Sequence, residues 1–84
     1  MRLFIVERSV PGLTMADLEL ALHALAQSSR RVGAGRVRHV RTMFLPAESR
    51  CICLFEAESI ELVRLVNATA QFPFTRVQPA IELV

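Results

Sequence analysis

The side chains able to do chemistry in this 84-residue sequence are few. Cys51 and Cys53 form a C-x-C in "RCICLFE". On a strand both point to one face. A disulfide between such positions needs unfavourable geometry. With no second Cys pair, the two sulfurs complete no zinc site. Two small buried hydrophobes in a reducing compartment fit better. His23 falls away from the apolar stripe of a helix and reads as a solvated surface residue. The informative stretch is "VRHVRTMFLP", Val37 to Pro46, which has the β-branched residues, Phe and terminal Pro of a strand but carries Arg38, His39 and Arg41.

Alternation places Val37, His39, Arg41 and Met43 on one face, and Arg38, Val40, Thr42 and Phe44 on the other. If Leu45 pairs with Arg50 across the hairpin, His39 lies opposite Glu56 and Arg41 opposite Leu54. A one-residue slip puts His39 opposite Phe55. The first register is the expectation, because it gives the histidine a carboxylate and leaves Cys51, Cys53 and Phe55 on the opposite face. A His with a carboxylate can shuttle a proton, ligate a metal or form a structural pair. As metal ligands, His39 and Glu56 need further donors from water or a second subunit. Glu7 shares the parity of Leu3 and Ile5, and its face stays open at this stage. The candidate ligand contacts are therefore Glu7, His39, Arg41 and Glu56, with no catalytic role assigned. No Ser-His-Asp, H-x-x-x-H or phosphate-loop pattern occurs. "GAG", Gly33 to Gly35, follows a helix instead of opening one and reads as a turn.

The elements that must position these residues follow from periodicity. Arg2–Arg8 reads as a strand, and "VPGL" as a loop. Thr14–Arg30 reads as a helix, with Thr14 and Asp17 spaced as a capping box. Leu18, Leu22 and Leu25 lie on one stripe of it, flanked by Met15, Ala21 and Ser29. Arg36–Leu45 is the second strand, "PAES" a turn, and Arg50–Glu56 the third strand. Ser59 caps a second helix, Ile60–Gln71, with Ile60, Val63, Val66 and Ala70 on one face. Arg76–Val84 closes as a fourth strand. The order β-α-β-β-α-β is the split βαβ, or ferredoxin-like, α+β pattern. Right-handed crossovers give a four-stranded antiparallel sheet in the order 4-1-3-2, with two helices on one face. The expected central strands hold the most apolar runs, "LFIV" and "CICLF". The expected edges hold Arg36, Arg38, His39 and Arg41, and Gln78 and Pro79, as edges tolerate charge and Pro.

Length supports one domain over residues 1–84. With 52% hydrophobic residues and a mean hydropathy of +0.39, the chain has more apolar side chain than one small core absorbs. The surplus falls on the sheet face that no helix covers, and a second copy packed sheet to sheet is the expected cover. No run approaches the roughly 18 apolar residues of a membrane helix. "MRLFIVERSVPG" reads as a strand, not a signal peptide, so a cytoplasmic protein is expected. All ten basic residues are Arg, yet the net charge is only +2, which calls for no nucleic-acid partner. The same topology serves RNA recognition. That use needs exposed aromatics on the central strands, and only Phe4 and Phe55 are offered, with no Tyr or Trp anywhere.

"LFIVERSVPGLTMADL" resembles the opening of a family of small bacterial proteins of about this length. In that family a strand ending in "VER" leads through a Pro-containing loop into a helix opened by "LT..DL". "SRCICLFEAESIELVRLVNATAQFPFTRVQPAIEL" resembles the remainder. The family was long a domain of unknown function and includes a nickel-binding actinobacterial protein, and its members are ferredoxin-like dimers. Glu7, Arg8, Pro11 and Glu56 match its pattern. Its second strand tends to carry an aromatic, a His, a Ser and a Tyr. These fall on His39, Arg41, Thr42 and Met43, so the His is displaced by two residues and the Tyr is lost. Acidic residues of the family's hairpin give way to Pro46, Ala47 and Glu48. The resemblance implies a homodimer binding nickel or another divalent transition metal, with His39 and Glu56 as the metal candidates. The other readings are a small cofactor-free enzyme, cyclase- or oxygenase-like, in which His39 is acid or base and Arg41 holds an anion, and a purely structural interaction module.

Overall fold

The computed structural model describes residues 1–83. The elements run β1 (Arg2–Ser9), α1 (Met15–Val32), β2 (Val37–Leu45), a 3-10 turn (Pro46–Glu48), β3 (Arg50–Ala57), α2 (Ile60–Thr69) and β4 (Arg76–Ala80). The four strands form one antiparallel sheet in the order β2-β3-β1-β4, the expected 4-1-3-2 order seen from the other edge.

Local chemistry sets the ends of these elements. Thr14 caps α1 through the Asp17 backbone N–H while the Asp17 carboxylate accepts from the Thr14 N–H, so two otherwise orphaned donors are satisfied. The helix runs two residues past the expected end and stops at Gly33. A side chain there would collide with the Ser29 carbonyl and press on Val37. Ser59 caps α2 by accepting from the Leu62 N–H. That helix ends short of Gln71, which adopts a left-handed φ of 56° while the Phe72 N–H bonds back to the Asn67 carbonyl. β4 was expected to reach Val84 but stops at Ala80, where its partner β1 is nearly used up: Leu3 faces Ala80 and only two residues precede it. Val84 lies outside the described residues.

The helices cover one face of the sheet. Phe4, Val6, Cys51, Cys53, Phe55, Ala57, Val37 and Val77 point to that side and are buried against Leu18 and Leu25 of α1 and Val63 and Val66 of α2. Met15, placed on the apolar stripe by periodicity, is instead exposed. It sits at the first position of α1.

Candidate functional site

The hairpin register decides which candidates meet. Leu45 does pair with Arg50, and Arg41 with Leu54, as expected. His39 pairs with Phe55 and not with Glu56, because a bulge at Val40 inserts one residue between His39 and Arg41. The extra residue reverses the parity of everything before it. His39 and Arg41 therefore point to opposite faces, contrary to strict alternation. Glu56 instead faces Arg38, which donates to its Oε1 through Nε at 2.9 Å and Nη2 at 2.6 Å.

Of the four candidate contacts, Glu7, Arg41 and Glu56 lie on the open face, and His39 lies on the helix-covered face. On the open face, Leu3, Ile5, Ile52 and Leu54 form a half-buried apolar centre, and Met43 beside them is 56% exposed. Charge rims this centre. Glu7 is nearly buried and accepts from Arg50 at 2.8 Å on Oε1, and from Arg76 at 3.0 Å and Gln78 at 2.9 Å on Oε2. The Arg76 hydrogen bond holds its carboxyl below the usual carboxylate range, against the opposing effect of burial. Arg50 also donates to Glu48 at 2.8 Å. Glu7, Glu48, Arg50 and Arg76 line a cleft of about 510 Å³ at one end of the sheet, with Arg8 among its walls.

Beneath the helices runs a second polar constellation. Arg8 is 1% exposed. Its guanidinium donates to the Asn67 Oδ1 at 2.6 Å, the Phe72 carbonyl at 2.9 Å and the Cys53 sulfur at 3.6 Å, and it lies 3.9 Å over the Phe72 ring. Its Nε finds no partner, and among the described residues no carboxylate pairs with it. The Thr42 hydroxyl donates to the same sulfur at 3.1 Å, and His39 Nε2 lies 2.7 Å from that hydroxyl oxygen. Both contacts are satisfied when His39 carries its proton on Nε2. Burial against Phe55, whose ring centre is 5.1 Å away, depresses the His39 pKa. The imidazole reaches a cleft of about 280 Å³ between the end of α1 and β2. The neighbouring Cys51 thiol is pushed up to about 12 by burial. Arg8, Cys53, Thr42 and His39 thus form one hydrogen-bonded chain across the core. His23 is exposed.

This chain escaped the expectations, although a signal for it existed. Arg8 shares the parity of Phe4 and Val6, so a central strand buried on that side must bury Arg8 too. Asn67 follows Val66 on the buried side of α2, a polar residue where an apolar one belongs.

As a metal centre, a single protomer does not fit. Among the described residues no three His, Cys, Asp or Glu side chains come close enough to share an ion. The proposed pair, His39 and Glu56, is split by the sheet, and the Glu56 carboxylate is engaged by Arg38. No helix among the described residues is long and apolar enough to cross a membrane.

A family model described as "Nickel responsive protein SCO4226-like" matches residues 4–79. Among solved structures, the crystal structure of SCO4226 from Streptomyces coelicolor A3(2) superposes with a TM-score of 0.81 at 20% identity, over 98% of this chain and 99% of that one. At that identity the superposition speaks to the fold. No curated protein matches the sequence.

Proposed function

The chain belongs to the nickel-responsive SCO4226-like family, and from that membership and the geometry we propose that it is a small homodimeric binding protein whose copies pair through their open sheet faces and take up a divalent metal ion or small ligand as a dimer. The observation that carries this reading is the uncovered apolar centre of Leu3, Ile5, Ile52, Leu54 and Met43. A patch of this kind, rimmed by polar residues, is the usual mark of an interaction site. Its rim carries both signs of charge, Arg38 with Glu56 on one side and Glu7 with Arg50 and Arg76 on the other. That pattern suits a self-complementary, two-fold interface.

Nickel is the metal in the family's name. The described residues of one protomer group too few donors for it, so in this reading the ion takes donors from both copies. Glu7 and Glu56 lie on the face where the copies meet. The enzyme reading keeps His39 as its acid or base but loses Arg41 as the anion holder, because the bulge sends the two side chains to opposite sides of the sheet.

Calorimetric titration of nickel, cobalt, zinc and copper, with the particle mass followed by light scattering, tests the proposal. The expected result is a dimer that binds at least one of these ions at no more than one ion per symmetric interface or interface half. A dimer that gives no heat with any of them removes the metal part and leaves a small-ligand or purely structural module.

A further inference from the structure

Around the cleft at the end of the sheet, four side chains of alternating charge form one chain of hydrogen bonds. Arg50 donates to Glu48 and to Glu7, and Arg76 donates to Glu7. All four residues line the cleft. Glu7 is the fixed point. It is nearly buried, and its two oxygens accept from Arg50, Arg76 and Gln78. Two guanidiniums thus share one carboxylate and are held in place by it.

The chain leaves donors idle. Arg76 uses only its Nε, so its two terminal nitrogens make no hydrogen bond among the described residues, and its side chain is 64% exposed. Arg50 uses both terminal nitrogens and leaves its Nε without a partner among the described residues. Ser9, exposed, adds a hydroxyl to the same wall. A guanidinium fork matches the paired oxygens of a carboxylate or a phosphate group. Anchored beforehand by its Nε, the Arg76 fork loses little freedom on binding.

The charge balance points the same way. Among the residues lining the cleft, Arg8, Arg50 and Arg76 stand against Glu7 and Glu48, a surplus of one positive charge. Arg8 turns its guanidinium to the other side of the sheet, into the core, where no carboxylate among the described residues offsets it. A buried charge is screened far less than an exposed one. A single negative charge in the cleft makes the balance even. At about 510 Å³ the cleft falls in the size range of small-molecule sites, so an anionic group can enter with the body of a small molecule attached.

We infer that this cleft binds the carboxylate or phosphate group of a small molecule on the Arg76 fork, with Arg50 and Ser9 as further donors and Glu7 as the residue that positions both arginines. Every group of the site comes from one protomer, so it stands apart from the dimer and from the metal ion proposed above.

NMR titration of the isotope-labelled chain with sodium phosphate and with sodium acetate, against sodium chloride at equal ionic strength, tests the site. The expected result is a saturable shift of the Ser9, Arg50 and Arg76 signals with phosphate or acetate and none with chloride. The tighter of the two probes identifies the anionic group. Arg76→Lys keeps the charge and removes the fork, and is expected to weaken binding at least about tenfold, with circular dichroism confirming the fold. Arg41→Leu removes an exposed arginine of β2 that lies outside the cleft and is in no ion pair among the described residues. It is expected to leave the affinity unchanged. The site is overturned by the absence of a saturable shift with either probe, by an equal response to chloride, or by an Arg41→Leu chain weakened as much as Arg76→Lys. None of these results depends on the mass of the particle or on a metal, so the dimer and metal readings stand or fall separately.

Discussion

Arg8 of the central strand β1 donates to Asn67 of α2 at 2.6 Å inside the core, and no carboxylate among the described residues shares the contact. Buried charge is tolerated when its hydrogen bonds are made and is costly when one is lost. The guanidinium is held by an amide oxygen, a backbone carbonyl, a sulfur and an aromatic face. Asn67→Ala leaves a cation facing a cavity and is expected to cost about 3 kcal/mol, the range for losing a hydrogen bond to a buried charge. Denaturant unfolding measures it. The double variant Arg8→Met, Asn67→Leu removes charge and partner together and is expected to be more stable than Asn67→Ala alone.

Glu7 ties β1 to β3 and β4 through Arg50, Arg76 and Gln78. Its carboxyl titrates below the usual range chiefly because Arg76 donates to the charged form. A depressed folded-state value means that the ionised group stabilises the fold above the unfolded carboxylate pKa of about 4.3, and that this contribution fades as pH falls through the folded value. Glu7→Gln is therefore expected to lower stability at pH 6 and to match the wild type progressively as pH falls below 4. Urea titrations across that range would show it, and a gap constant with pH would count against it.

His39 titrates low because burial disfavours its charged form. Protonation then favours the unfolded chain, so this group withdraws stability as pH falls from about 6.5 toward its folded-state value. In an NMR titration the His39 imidazole is expected to reach its midpoint below 6.5. A midpoint above that value would mean that the charged ring has a stabilising partner, and would contradict this account.

Cys51 and Cys53 are both free and fully buried. With the Cys51 thiol pushed up to about 12 by burial, native protein at pH 8 holds almost none of its thiolate. Thiol reagents are expected to leave Cys51 unlabelled in the folded protein and to label it rapidly in denaturant.

Gln71 occupies a left-handed conformation after α2 that a side chain enters at a cost. Gln71→Gly is expected to stabilise the fold by about 0.5–1 kcal/mol, the relieved left-handed strain less the extra freedom of Gly in the unfolded chain, visible as a higher denaturant midpoint at unchanged slope.

The element order, the strand order and the cap at Thr14 were legible because they rest on local signals: periodicity, a capping box, and the contrast between the apolar runs of β1 and β3 and the charged edges. The register at His39 was not, because nothing in "VRHVRTM" announces that Val40 bulges, and one inserted residue moves the histidine across the sheet. The burial of Arg8 was legible in principle, since it alternates with Phe4 and Val6, but its tolerance depends on Asn67, 59 positions away, and no local pattern joins the two. The open face was visible as a surplus of apolar residues. Its pairing with a second copy is the proposal that the mass of the wild-type chain tests.

The central claim is that two copies meet on that face. Sedimentation equilibrium of the wild-type chain beside Leu54→Asp addresses it directly, since Leu54 lies in the apolar centre of the open face and outside the helix-packed core. The account predicts a wild-type mass twice that of the 9.4 kDa chain and a folded, monomeric Leu54→Asp. A monomeric wild type, or a Leu54→Asp chain that dimerises as tightly as the wild type, would contradict it.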